Sequence, residues 1–330
     1  MDDAWLERLA DRDTRVLARA ISGVEREDPR ALHLLATLEA HPDYARREAS
    51  VHVIGITGPP GAGKSSLTDR LIAEYRARGH RVGVLAVDPS SPFSGGALLG
   101  DRVRMNRHAL DPHVYMRSLG SRGSLGGLSQ PIRAATRLLT WAGFDRIILE
   151  TVGVGQSELD IMYAADSVTV VLTPAGGDQV QATKAGITEI ADLFVVNKAE
   201  LPGSAKTIKA LKEMLDVKRM SELERGLQPF AVPIVATSLV HEAETGVDMW
   251  FAALESHRAY LLEQDRLKAR RGVGRERELL ERLQAQVRLA VLERLRREPA
   301  LQEEVQRVRD GACSVTEGAA TLADLLGIGL

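Results

Sequence analysis

From Val51 onward, short β-branched runs alternate with stretches whose apolar residues recur every three or four positions. The runs are Val51 to Thr57, Arg81 to Val87, Val114 to Arg117, Arg146 to Glu150, Ser167 to Thr173, Leu193 to Asn197 and Ala231 to Ala236. This alternation predicts an α/β fold in which helices cover both faces of a mostly parallel sheet. Ligands of such sheets bind beyond the carboxyl ends of the strands, so the residues that follow each run are where chemistry is sought.

The ends of the chain follow a different pattern. Amphipathic helices are predicted over Thr14 to Arg26 and Pro29 to Ala40, with Asp28 as N-cap and Pro29 at the first helical position. After His257 charged helix formers take over, and Leu280, Leu283, Val287, Val291 and Leu295 recur at spacings of three and four. Gly272 and Gly274 are expected to interrupt this helical tail, and Pro299 to mark a break before the last short helices. The expected organisation is a helical extension over residues 1–50, an α/β domain over 51–257 and a helical arm over 258–330. The arm's apolar stripe packs either on its own domain or on a second copy of the chain.

The most specific motif lies between the first strand run and a helix starting near Lys64. Gly58-Pro59-Pro60-Gly61-Ala62-Gly63-Lys64-Ser65 matches G-x-x-x-x-G-K-S/T, the phosphate-binding loop, and Ser66 follows it. Glycines let backbone N–H groups turn inward around a β-phosphate, Lys64 brings charge to the β- and γ-phosphates, and the Ser65 hydroxyl can ligate Mg²⁺. The fold class narrows to a P-loop NTPase. Beyond the second strand, Asp88 and Asp101 are candidates for the metal shell or for orienting water, with Ser94-Gly95-Gly96 between them as a switch. The fourth run closes on Glu150, the carboxylate that usually completes a phosphate-loop site, here in place of the commoner aspartate and a candidate for metal or water. Gly153 follows to sense the γ-phosphate through its N–H, and Gln156 is either a water-orienting or a structural glutamine.

Base choice is read further along. Asn197-Lys198-Ala199-Glu200 follows a strand and resembles the N-K-x-D guanine signature with glutamate for aspartate. A carboxylate there accepts from guanine N1 and N2, so GTP is favoured, with looser discrimination because glutamate is one methylene longer. Thr237, Ser238 and Leu239 are placed to offer a backbone N–H to guanine O6.

Composition changes this picture little. In 330 residues, 43 basic side chains face 45 acidic ones, which gives no net electrostatic case for nucleic acid or membrane. The N-terminal stretch is charged and no apolar run reaches the length of a membrane span, so a cytoplasmic location is expected. The single cysteine, Cys313, excludes an intrachain disulfide and suits a reducing compartment.

Taken together, the motifs resemble the GTPases associated with methylmalonyl-CoA mutase, the MeaB or ArgK type, within the group of P-loop GTPases that includes those of the signal recognition particle. Besides the phosphate loop, the likeness rests on Val87-Asp88-Pro89-Ser90-Ser91-Pro92, on Gly100-Asp101-Arg102-Val103-Arg104-Met105 and on Glu150 through Glu158. A fourth stretch, Gly177-Asp178-Gln179-Val180-Gln181-Ala182-Thr183-Lys184-Ala185-Gly186, matches that family's extra switch. The resemblance implies a homodimer that uses GTP/GDP and Mg²⁺. It also implies a partner, an adenosylcobalamin-dependent acyl-CoA mutase whose cofactor loading is gated and which is protected from inactivation. It places Gln181 and Lys184 in the extra switch, relaying partner contact to the nucleotide. Glu200 departs from the family's usual aspartate.

Two other readings compete. A metal-inserting GTPase needs a cysteine- and histidine-rich site, and here the one cysteine lies far from the core motifs while the eight histidines form no close cluster. A kinase linked to amino-acid transport needs an acceptor pocket that no motif marks. Asp111-Pro112-His113 begins a cobalamin-like D-x-H-x-x-G pattern, but Met116 stands at the glycine position, which places any cobalamin on the partner.

Overall fold

The computed structural model describes residues 2–89, 106–108, 110–121, 130–151, 157–174, 187–226, 228–240 and 245–328. Seven parallel strands form one sheet in the order β3-β2-β4-β1-β5-β6-β7. They are β1 (His52–Thr57), β2 (Val82–Pro89), β3 (Val114–Ser121), β4 (Arg146–Thr151), β5 (Ser167–Leu172), β6 (Leu193–Asn197) and β7 (Ile234–Thr237). Each expected run contains a strand. The third extends to Ser121, and the seventh begins at Ile234 rather than Ala231.

Successive residues of a strand point to opposite faces, and both faces here are apolar. Val53, Leu85, Val87, Ile147, Leu149, Val168, Val170, Phe194 and Val196 join one core. That core includes α1 (Asp2–Ala10), α2 (Thr14–Glu25), α3 (Pro29–Ala40), α4 (Tyr44–Ser50) and α6 (Gln130–Trp141). Ile54, Ile56, Val84, Ile148, Val171 and Val195 face α5 (Lys64–Ala77) and α10 (Val247–Leu262), where Leu67, Leu71, Tyr75 and Trp250 are fully buried. The N-terminal helices are therefore four, two more than periodicity alone suggests. Asp28 caps α3 by accepting from Arg30 N, with Pro29 at its start. The Trp141 indole donates to Leu6 O at 2.8 Å, and Arg117 of the edge strand β3 reaches Ser22 and Glu25, so the bundle is tied to the sheet.

Three further described helices are α7 (Ser157–Asp160), α8 (Ile187–Ile190) and α9 (Ser204–Glu224). The chain then enters α11 (Arg266–Arg297), which runs unbroken through Gly272 and Gly274. The expected interruption is thus corrected. A Cβ at Gly274 would meet Tyr163 O at 2.3 Å, so that glycine serves a close approach of the helix to the backbone rather than a break. Two compact units result, Met1–Gly274 and Arg275–Leu330, and the division falls inside α11. The first unit holds the start of α11 through paired arginines. Arg270 makes bonds of 2.9 and 2.7 Å to Asp192, and Arg271 makes bonds of 2.8 and 2.6 Å to Asp166. Both aspartates also accept strand amides, from Val168 and Val53.

In the second unit α12 (Pro299–Arg309) begins at the expected proline and packs on α13 (Val315–Leu326). Ser314 and Glu317 form a reciprocal capping box at the start of α13, and Arg294 donates to Leu326 O. Leu279, Leu280, Leu283, Val287 and Leu289 of α11 are exposed.

At the amino end of the sheet His52 Nε2 lies 2.8 Å from Ser167 Oγ, which lies 2.7 Å from His257 Nδ1. Burial holds the pKa of His52 well below the ordinary histidine value, with the charges of Arg258 and Arg146 acting the same way. His257 is lowered by burial, against the opposing pull of Asp192. Each therefore binds a proton less readily in the fold than in the unfolded chain, where histidine titrates near about pH 6.5. Folding stability is therefore full above that value and falls as pH falls through it. Denaturant titrations from pH 7.5 to 5.5 should show a loss with slope of at most about 1.4 kcal/mol per pH unit for each histidine, shallower in His52→Asn.

Candidate functional site

The carboxyl edge of the sheet gathers the motifs. β1 ends at Thr57, and the next residues turn from strand to helix through Gly58, Gly61 and Gly63, all with positive φ (141°, 76° and 90°). A side chain would not fit at two of them. A Cβ on Gly58 would come 2.1 Å from Val171 O, and one on Gly63 would come 2.3 Å from Asn197 Nδ2. Gly61 faces open space, and Pro60 and Ser66 are exposed, so the loop presents backbone outward. Helix α5 then starts at Lys64 with Gly63 as its cap and no side chain to satisfy its first amides, the arrangement that suits an anion. Lys64 is buried, and its ammonium donates to Gly58 O at 2.7 Å and Pro59 O at 3.1 Å.

The Ser65 hydroxyl donates to Glu150 Oε1 at 2.6 Å, both groups being buried. The strand neighbours β1 and β4 bring these residues together from positions 85 apart in the chain. Two adjacent hard oxygens beside a phosphate loop fit Mg²⁺, which prefers oxygen ligands. Of the loop glycines, Gly61 faces open space, where its backbone can approach a phosphate. Asp88 stands at the carboxyl end of β2, opposite Gly120 of β3, and the preceding Val87 pairs with Thr151 of β4. Asp101, Gly153, Gln156, Gln181 and Lys184 lie outside the described residues.

The second half of the site is built by β6 and β7. Asn197 is buried at the end of β6, where its Nδ2 donates to Ala62 O at 2.8 Å and its Oδ1 accepts from Thr237 Oγ1 at 3.1 Å. One side chain thereby ties the phosphate loop to both strand ends. Lys198 adopts φ 58°, uncommon outside glycine and asparagine, and its Nζ donates to Gly61 O at 3.0 Å. The Ala199 amide donates to Thr237 O at 3.0 Å. Glu200 is exposed, and its carboxyl lies below the ordinary range because it accepts from the Ser238 hydroxyl and from its own amide, with Lys198 nearby. The Ser238 amide donates to Thr245 O at 3.2 Å, so of Thr237, Ser238 and Leu239 that N–H is already engaged.

Two contacts had no sequence signal. Asp69, on α5 one turn beyond Ser65, is held by Arg107 and by His108, anchoring the short helical turn Asn106–His108 on the phosphate-loop helix. Thr151 donates to Thr57 at 2.9 Å, both fully buried. Among the described residues no group of three or more His, Cys, Asp and Glu is placed to hold a metal ion, and no helix is long and apolar enough to cross a membrane.

A seven-stranded parallel sheet with this glycine loop between β1 and α5 defines a P-loop NTPase-like α/β protein. Residues 17–300 match the family model described as methylmalonyl Co-A mutase-associated GTPase MeaB, and the chain belongs to that family. A Pyrococcus abyssi relative described by name as a GTPase is 44% identical over 279 residues, covering 84% of this chain and 83% of its own. The mouse methylmalonic aciduria type A homolog, mitochondrial, is 35% identical over 280 residues, covering 83% of this chain and 64% of its own. The solved structure named LAO/AO transport system kinase shares the fold with a TM-score of 0.64 at 24% identity, over 99% of this chain and 97% of that one.

Replacing Asn197 by alanine removes two buried bonds and leaves Ala62 O without its donor. Asn197→Ala is expected to lower unfolding stability by about 1–3 kcal/mol and to weaken binding of a fluorescent GDP analogue at least about tenfold, as read by denaturation and by titration.

Proposed function

We propose that this chain binds GTP with Mg²⁺ and hydrolyses it as a timer for an adenosylcobalamin-dependent acyl-CoA mutase. The observation that carries the reading is Asn197, whose amide joins the phosphate loop to the base-reading segment and so makes one continuous nucleotide site. Gly58 through Ser66 wrap the phosphates with backbone N–H groups, and Lys64 turns from the loop carbonyls toward the β- and γ-phosphates. Mg²⁺, when bound, neutralises charge building on those phosphates, and Ser65 and Glu150 are the residues that hold it, with Asp88 and Asp101 as further candidates. One of Asp88, Asp101 and Glu150 orients water in line with the γ-phosphorus. The new P–O bond forms as the bond to the β–γ bridging oxygen breaks, releasing GDP and phosphate. Gly153 senses the γ-phosphate, and Gln181 and Lys184 pass partner contact to the site.

Base choice falls to Asn197, Lys198 and Glu200, with Thr237, Ser238 and Leu239 beside them. Glu200 is ionised at neutral pH and accepts from guanine N1 and N2. Bonds from the Ser238 hydroxyl and its own amide hold its carboxyl below the ordinary range, and the added methylene loosens base discrimination. The mutase is named by family membership, supported by the name of the mouse relative. The role beyond hydrolysis is that of a chaperone: it gates cofactor loading and protects the mutase from inactivation. Residues 258–330 serve as an arm through which two copies pair, supported by the exposed leucines and valine of α11, and the complex works in the cytoplasm.

Phosphate release from GTP should rise at least about tenfold when methylmalonyl-CoA mutase is added, as expected of switch loops that a partner completes. The rise should vanish in Lys64→Ala and be weak with ATP. Equal turnover with and without the mutase would count against the partner.

A further inference from the structure

β1 and β4 carry the two halves of the phosphate chemistry, the loop after Thr57 and the carboxylate of Glu150. Their paired positions run from His52↔Arg146 to Ile56↔Glu150. One residue further, Thr151 Oγ1 donates to Thr57 Oγ1 at 2.9 Å, and both side chains are completely buried. Thr57 immediately precedes Gly58, whose carbonyl accepts from Lys64, and Thr151 immediately follows Glu150, which accepts from Ser65. The hydroxyl bond is thus a tie between the two strands beyond their last paired position, at the point where each chain leaves for the site.

Stability does not require hydroxyls there. The neighbouring positions are filled by Ile54, Ile56, Ile147, Ile148 and Leu149, and valine has the shape of threonine with a methyl in place of the hydroxyl. Burying two hydroxyls costs about as much as their mutual bond returns, so a Val–Val pair would pack as well. What valine lacks is a directional bond that fixes the sideways offset of the strand ends. We infer that the Thr57–Thr151 pair is a positioning element that sets Glu150 against Ser65 and the phosphate loop. The inference rests on the GTPase reading above and adds two residues to it.

The test uses the full-length chain and the variants Thr57→Val, Thr151→Val and Thr57→Ser, with kcat, KM, GDP affinity and thermal midpoint measured for each. Each valine variant leaves one buried hydroxyl unpaired, so its thermal midpoint should drop, but GDP affinity should stay within about twofold of wild type while kcat falls about tenfold, since a small misplacement of a catalytic group acts on the transition state rather than on binding. Thr57→Ser keeps the hydroxyl and should restore kcat. Unchanged kcat in both valine variants, parallel loss of kcat and GDP affinity, or a serine variant as slow as the valine one would each overturn the inference. A second readout separates it from the GTPase reading: the Mg²⁺ concentration that half-saturates tightening of GDP binding. It should rise about tenfold in the valine variants even if the wild-type chain hydrolyses no GTP, which would refute that reading alone. An unchanged Mg²⁺ requirement would overturn the inference.

Discussion

Parallel pairing of β1 with β4 on one side and β5 on the other is the constraint from which the site follows. Because the three strands run the same way and are buried along their whole length, their carboxyl ends emerge on one edge. The loop after β1 then has Glu150 of β4 beside it and Val171 O of β5 against Gly58, where a Cβ would come within 2.1 Å. Glycine at position 58 is therefore a consequence of how tightly the central strands sit, as well as of the backbone angle the turn needs.

A second layer of contacts ties the ends of β6 and β7 to the phosphate loop. Asn197 and Lys198 reach from the end of β6 to Ala62 O and Gly61 O, and Thr237 of β7 orients Asn197. The end of β6 and the phosphate loop are thus one hydrogen-bonded unit. At the opposite edge of the sheet, buried histidines and the Asp166 and Asp192 pairs with Arg271 and Arg270 serve a different purpose. They fix the strand starts and the first turns of α11. Partly buried ion pairs of this kind contribute little net stability but are costly to break singly, which makes them suited to holding geometry.

Much of this was legible from residue order. The strand runs, the Asp28 cap, the break at Pro299 and the phosphate loop were readable because local chemistry determines each of them: β-branched runs, a capping carboxylate, a residue lacking N–H, and glycines at fixed spacing. Family membership was readable because four motifs occur in one order. What periodicity missed depends on distant residues. Gly274 looked like a helix breaker, but its meaning lies in Tyr163 O, far back in the chain. The Thr57–Thr151 bond and the clamp of Arg107 on Asp69 join positions 94 and 38 apart, and no local pattern encodes such pairs. Of Thr237, Ser238 and Leu239, the Ser238 amide is taken up by Thr245 O, a pairing the local sequence does not mark.

Asn197 and the phosphate loop are held to form a single, pre-assembled nucleotide site, and the rest of the functional reading stands on that. A crystal structure of the chain grown with GDP and Mg²⁺ tests it most directly. Expected are the β-phosphate within hydrogen-bond reach of the amides of residues 61–65, the base against Asn197 through Glu200, and the Asn197–Ala62 bond retained. Nucleotide bound elsewhere, or a loop that must give up the Asn197–Ala62 bond to accept phosphate, would contradict it.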